Sequence, residues 1–91
     1  MDDWIIYISH SVNGLNLYQM NGTKNDAVTV INNHVQHFKT ADSEFFDCVQ
    51  AGINNSNEVM KVVRFYGYHI NVGAVKVSRI PRMQLAKEEK Q

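Results

Sequence analysis

The sequence has little of several residue types that define common protein classes. Its 91 residues include one cysteine, Cys48, and one proline, Pro81. A lone cysteine excludes an intramolecular disulfide and a multi-cysteine zinc site. No apolar run approaches the roughly 20 residues that a membrane-spanning helix needs. The chain opens with Asp2, Asp3 and Trp4 rather than a cationic signal segment. We therefore expect a cytoplasmic protein with no membrane partner.

Length and composition favour a small folded domain. A chain of 91 residues with 44% hydrophobic residues is expected to form one domain over residues 1–91. A core of this size gives a modest stability margin, and association of two copies is a common way to bury more apolar surface. We therefore expect a homodimer.

Charge is balanced in total but divided along the chain. The sequence has nine acidic and nine basic side chains. Residues 1–58 are acidic, whereas residues 59–87 contain cations and no acid. The acids of the first segment are Asp2, Asp3, Asp26, Asp42, Glu44, Asp47 and Glu58, against Lys24 and Lys39. The cations of the second are Lys61, Arg64, Lys76, Arg79, Arg82 and Lys87.

The first 40 residues predict a hairpin and a helix. The apolar run Trp4–Ile8 is typical of a central strand, and Asn13-Gly14 is a strong hairpin signal. We predict strands at 3–10 and 14–20. Thr23 and Asp26 have capping-box spacing, and the apolar residues beyond them recur at helical spacing. These features predict an amphipathic helix over 23–38.

Residues 43–53 fit two structures. Phe45, Phe46, Val49 and Ile53 have the spacing of a short helix that starts after Asp42 or Ser43. They also fit a strand leading into an asparagine-rich turn at 54–57. The helix, over 43–52, is slightly favoured.

From Val59 onward the apolar period is two, which predicts strands at 59–66, 68–72 and 75–80. Gly67 is read as a turn or bulge and Gly73 as an interruption. Pro81 ends the pattern, and 82–91 is expected to be a frayed helical tail. The order predicts an α+β fold, with one antiparallel sheet of four to five strands and the main helix packed on one face.

The sequence contains few groupings that support catalysis. His34 and His37 lie three residues apart on the predicted helix, but at the edge of its apolar face, where histidines often pack. Cys48 lies in an apolar context beside Asp47, typical of an inert thiol. Phosphate-loop and nucleophile-elbow glycine patterns are absent from the sequence. We expect no catalytic residue, metal or cofactor, and a protein that is not an enzyme.

The segment from Lys61 to Ile70 combines cations with aromatic rings and is the best candidate binding surface. Alternation would place Arg64 and Tyr66 on one face, joined by Tyr68 unless Gly67 bulges the strand. Such a surface suits phosphates with stacked bases, or an acidic protein. The predicted binding residues are Lys61, Arg64, Tyr66, Tyr68, His69, Lys76 and Arg79.

Part of this segment resembles the aromatic signature of RNA-recognition-motif domains, in which a basic residue precedes an aromatic-Gly-aromatic triplet. Ile6-Tyr7-Ile8 is similar to the start of that family's other signature. The sequence departs from the family where Phe65 replaces the first glycine, and too few residues follow Gly67 for its last helix and strand. Because the segment combines cations with aromatic rings, a nucleic-acid-binding or nucleotide-binding module is the alternative function.

A second resemblance is compositional. The abundant asparagines and the segment Gly67-Tyr68-His69-Ile70-Asn71-Val72 are similar to small accessory proteins of phages and prophages of low-GC Gram-positive bacteria. This resemblance implies a protein that binds a host macromolecule, for example as an inhibitor of a defence system in the host cytoplasm. It assigns no residue. We expect a non-catalytic protein-binding module, with a protein as partner ahead of a nucleic acid.

Overall fold

A computed structural model describes residues 1–80, and these form a five-stranded antiparallel sheet with one α-helix on one face. The predicted α+β class is confirmed. The strands are arranged in the order β2-β1-β5-β4-β3. Their bounds, with those of the helix, are β1 Asp2–His10, β2 Gly14–Gly22, α1 Lys24–Ala41, β3 Phe46–Asn54, β4 Glu58–Phe65 and β5 Tyr68–Lys76, followed by a 3₁₀ turn at Val77–Arg79.

The predicted hairpin is confirmed. β1 pairs with β2 from Asp2 opposite Gly22 to His10 opposite Gly14. On its other side β1 pairs with β5, so it is a central strand, as its apolar character predicts.

The helix begins at the predicted position because its first turn is capped from both sides. The Thr23 hydroxyl accepts a hydrogen bond from the Asp26 backbone N–H at 3.2 Å, and the Asp26 carboxylate accepts one from the Thr23 N–H at 2.8 Å. Ala27 and Ile31 are fully buried against the sheet. The helix continues to Ala41, three residues beyond the predicted end.

The core lies between α1 and one face of the sheet. Trp4 is fully buried there, and its indole N–H donates to the Gly22 carbonyl at 3.2 Å. Burial of such large apolar side chains provides most of the favourable free energy of folding. The other core residues are Ile6, Ile8, Ala27, Ile31, Val59, Val63, Phe65, Ile70, Val72 and Ala74.

The favoured helix at 43–52 is wrong, and the strand alternative is correct. Phe46–Asn54 forms edge strand β3, which pairs with β4 from Phe46 opposite Phe65. Pairing with β4 satisfies a row of β4 backbone groups that would otherwise lie at a sheet edge. Register shifts at 46–48 and 51–54 interrupt the alternation, which explains why the apolar spacing mimics a helix.

The predicted break at Gly73 and the separate strand at 75–80 are also wrong. β5 runs without interruption from Tyr68 to Lys76. Gly73 is paired on both sides, with Tyr7 and with Met60. The predicted tail at 82–91 lies outside the described residues.

The two faces of the sheet differ. One, which we call the helix-side face, carries the core. The opposite face, here called the outer face, is not covered by α1, which packs on the other side. The outer-face side chains follow from strand alternation and include Ile5, Tyr7, Leu15, Leu17, Glu58, Met60, Val62, Arg64, His69 and Val75.

Candidate functional site

Three chain connections meet at one end of the sheet, and each presents an exposed apolar side chain. They join β1 to β2, β4 to β5, and α1 to β3. The side chains are Val12 (75% exposed), Tyr66 (84%) and Phe45 (50%). We call these three residues the turn-end cluster. Large apolar groups that lie outside the core on loops are typical of recognition surfaces.

The β1–β2 turn is held in one conformation by His10. Its Nδ1 accepts hydrogen bonds from the backbone N–H groups of Val12 at 3.0 Å and Asn13 at 3.1 Å. Gly14 completes the turn with φ of 89°, a conformation that residues with a Cβ adopt at a cost. The exposed Val12 is therefore carried on an ordered turn.

The β4–β5 turn is joined to both neighbouring connections. The Tyr66 N–H donates to the Phe45 carbonyl at 2.7 Å. On the other side, Ser11 and His69 exchange two hydrogen bonds, from Ser11 N–H to the His69 carbonyl at 3.1 Å and from His69 N–H to Ser11 Oγ at 3.2 Å. These bonds fix the relative positions of the three connections.

A row of rings lies under the turns on the helix-side face, one from each of four adjacent strands. Tyr68 stacks between Phe65 and His10, with ring centroids 4.7 Å and 5.1 Å away. Phe46 contacts Phe65 edge-on at 5.9 Å. Aromatic contacts of this kind stabilise beyond the area they bury, so the turn-end cluster rests on a packed support.

The support also includes one polar contact. The Tyr68 hydroxyl donates to the Asp42 carboxylate at 3.2 Å. Burial raises the pKa of Tyr68, and the hydrogen bond and negative charge of Asp42 raise it further. Asp42 also caps the end of α1, because its N–H donates to the Phe38 carbonyl at 3.0 Å.

Charged and polar side chains surround the turn-end cluster. Arg64 and His69 are paired across β4 and β5 on the outer face, and Glu44 and Asp47 flank the Phe45-Phe46 pair. All four are exposed. An apolar centre with a charged rim is the usual arrangement of a protein-binding patch.

Four of the seven sequence-predicted binding residues lie at this end: Arg64, Tyr66, Tyr68 and His69. The expected alternation through Arg64, Tyr66 and Tyr68 is not observed, because Tyr66 and Gly67 form a two-residue turn between Phe65 and Tyr68. Gly67 has φ of 95°. Tyr68 consequently points to the helix-side face.

The other predicted residues are dispersed. The Lys61 ammonium donates to Asn32 of the helix at 2.8 Å. Lys76 forms an ion pair with Asp2 at 3.5 Å and lies 5.6 Å from the centre of the Trp4 ring. Arg79 is exposed in the 3₁₀ turn. The charge division along the chain therefore does not become one basic surface.

Sequence reasoning missed Val12 and Phe45. A valine beside Asn13-Gly14 lies within the hairpin connection, where an apolar side chain has no core to enter. Adjacent phenylalanines before a strand cannot both face the core, because successive strand residues point to opposite faces. These two signals were present in the sequence.

The described residues do not contain a group of three or more histidine, cysteine, aspartate or glutamate side chains that could hold a metal ion. His34 stacks on Tyr18 at 6.4 Å, and His37 contacts Phe38 edge-on at 5.7 Å. Cys48 is a partly buried free thiol opposite Arg64. Over residues 1–80, none of the helices is long and apolar enough to cross a membrane.

Comparison of the chain with protein-family models, with curated proteins and with solved structures gave no match.

Proposed function

We propose that this protein is a small non-catalytic module that binds another protein through the turn-end cluster. The observation that carries the proposal is the presence of Val12, Phe45 and Tyr66, each at least half exposed, on three hydrogen-bonded connections at one end of the sheet. A tyrosine side chain has few rotatable bonds and loses little conformational entropy on binding, and tyrosines are enriched among residues that dominate interface energies.

The compositional resemblance to phage accessory proteins favours a target within a host macromolecular complex, such as a defence system in the host cytoplasm. In that role the protein acts as an inhibitor or regulator, since binding by a non-catalytic module changes a partner by occupying its surface. The mixed charges around the cluster suit a partner with its own mixed rim rather than a polyanion.

The test is affinity capture from lysate of the host with the native chain and three alanine variants. Tyr66→Ala and Phe45→Ala should lose a stoichiometric protein that the native chain retains. The matched control is Val77→Ala, which removes an apolar side chain that is 41% exposed in the 3₁₀ turn at the opposite end of the sheet. Absence of a stoichiometric protein, or equal loss in the control, would contradict the proposal.

Nucleic-acid or nucleotide binding is the second candidate, favoured by the placement of Arg64 and His69 as cross-strand neighbours next to the Tyr66 turn. It predicts binding of a single-stranded oligonucleotide that weakens steeply with salt and decreases in Arg64→Ala and Tyr66→Ala. Fluorescence anisotropy at low ionic strength distinguishes the two functions. No binding there would remove the second candidate.

A further inference from the structure

The outer side chains of β4 form a stripe that is complementary to itself. Strand alternation places Glu58, Met60, Val62 and Arg64 on the outer face, because the intervening Val59, Val63 and Phe65 are buried in the core on the helix side. The stripe begins with an acid, continues with two apolar residues and ends with a base. β4 pairs with β5 without a register shift over this length.

We propose that the outer face binds the outer face of a second copy of this chain. The two-fold axis of this dimer lies between the sheets and runs across the strands. Such an axis reverses the strand direction, so Glu58 of each copy faces Arg64 of the other, and Met60 faces Val62. An axis along β4 would instead place Glu58 over Glu58 and Arg64 over Arg64, and such contacts between like charges are destabilising.

The same rotation also aligns the other edge of the sheet. Leu17 is in the same cross-strand row as Met60, through Tyr7 and Gly73, and Leu15 is in the row of Val62, through Ser9 and Asn71. Leu17 of one copy therefore faces Leu15 of the other. These leucines are 61% and 60% exposed in the single chain, and their mutual burial would remove both from water.

The flat area of the outer face is about three quarters of what a stable interface buries per partner. Five strands about 4.8 Å apart and about 26 Å long give a flat area of roughly 600 Å² before the relief of the side chains is counted. Stable interfaces bury about 800 Å² per partner. Sheets that pack face to face do so with nearly aligned strands, which this axis permits.

One consequence concerns the turn-end cluster. Because the axis reverses the strands, the dimer would carry one cluster at each of its two opposite ends. A dimer of this kind could hold two partner molecules, or two sites of one symmetric partner, with the gain in avidity that bivalence provides.

The experiment is a charge exchange followed by light scattering and sedimentation of the full chain over a range of concentrations. The native chain should be a dimer. In a dimer of Glu58→Lys chains, two cations would face each other at both symmetry-related contacts. In a dimer of Arg64→Glu chains, two carboxylates would do so. Each variant should therefore raise the dimer dissociation constant at least about tenfold.

Mixing the two variants is the decisive measurement. In a pair made of one Glu58→Lys chain and one Arg64→Glu chain, each of the two contacts joins a cation to a carboxylate, so the mixture should regain the native dimer mass although each component alone associates weakly. The double variant Glu58→Lys/Arg64→Glu restores opposite charges at both contacts and should regain the native dimer mass. A role of either residue in the fold alone would not produce this recovery.

Leu17→Lys provides a test that does not depend on the charge pair, since this exposed position can accept a lysine without disturbing the core. It should be monomeric, whereas the control Val12→Lys, in the turn-end cluster, should keep the dimer mass. A monomeric native chain at about 100 µM, or a double charge variant that stays monomeric, would overturn the proposal. Partner capture by the monomeric Leu17→Lys chain would leave the proposed function intact.

Discussion

The ring of Tyr7 lies across Gly73 of the neighbouring strand, in the space that a side chain at position 73 would occupy. A Cβ built on Gly73 would overlap the ring and hydroxyl of Tyr7. The hydroxyl extends one strand further and donates to the Glu58 carboxylate at 3.4 Å. The glycine therefore marks a close approach of a side chain to the backbone, rather than the strand break that its sequence context predicts.

Gly73→Ala should destabilise the protein by about 1–3 kcal/mol, because the added methyl group forces the Tyr7 ring out of a packed position. Urea unfolding followed by the fluorescence of Trp4, the one tryptophan, would measure the loss. The same change in a Tyr7→Ala background should be neutral or stabilising, since the clash is gone and glycine is a poor strand residue. Additive effects of the two changes would contradict the close contact.

The surroundings of Tyr7 predict that the folded protein loses stability at high pH. Burial raises the pKa of Tyr7 from 10.0 to about 12, and the charge and hydrogen bond of Glu58 contribute to the rise. The folded protein favours the neutral phenol of Tyr7. The stability that this side chain contributes is fully present below pH 10, where the phenol is neutral in both the folded and the unfolded chain. It is lost as the pH rises from about 10 to about 12, where the unfolded chain ionises first.

The measurement is the unfolding free energy of the native chain and of Tyr7→Phe from about pH 8 to about pH 11. The difference between the two proteins should be constant in the lower part of this range. Above pH 10 the native chain should lose stability more steeply than the variant. Parallel curves throughout would show that Tyr7 is solvated in the folded state.

The elements that sequence predicts well are those whose signals are local. The hairpin follows from Asn13-Gly14, and the helix start follows from Thr23 and Asp26, which make the predicted reciprocal hydrogen bonds. The failures are non-local. Residues 46–54 form a strand because they pair with the edge of β4, and their own sequence does not show that this edge is available.

The candidate site was predicted in part for the same reason. Arg64, Tyr66 and His69 were identified from composition and do lie at the turn end. The expectation of one continuous surface required knowledge of the hairpin turn at Gly67, which separates Tyr68 from them. The sequence predicts that Lys61 and Lys76 bind a partner, but in the structure they contact Asn32 of the helix and Asp2 of β1. Each contact joins residues that are far apart in the chain.

Thr23→Ala should cost about 1 kcal/mol, in a range of about 0.5–2 kcal/mol, because it leaves the Asp26 N–H without its acceptor at the start of α1. Thr29→Ala is the matched control. Its hydroxyl donates to the Asn25 carbonyl at 2.9 Å on the exposed side of the same helix, and alanine is the better helix former there. The control should be neutral or slightly stabilising in urea unfolding. Equal losses would mean that the cap contributes nothing specific.

The two residues of the turn between β4 and β5 should have different roles: Gly67 in the stability of the fold and Tyr66 in binding. Gly67→Ala should destabilise the fold by about 1–2 kcal/mol, because its φ of 95° brings a Cβ against the following carbonyl. Crowding by the rest of the protein is not the cause, since no atom outside Gly67 and its two chain neighbours lies within 4 Å of the position the Cβ would take. Gly67→Asn should lose less, as asparagine tolerates left-handed backbone better.

The neighbouring Tyr66→Ala should change the unfolding free energy by less than about 0.5 kcal/mol, because the side chain is 84% exposed and only its backbone N–H is bonded, to Phe45. Thermal and urea unfolding of both variants would measure the contrast. A large loss in Tyr66→Ala would mean that the ring contributes to the fold. With a small loss, a failure of Tyr66→Ala to capture a partner can be attributed to the missing contact, since the turn that carries it is intact.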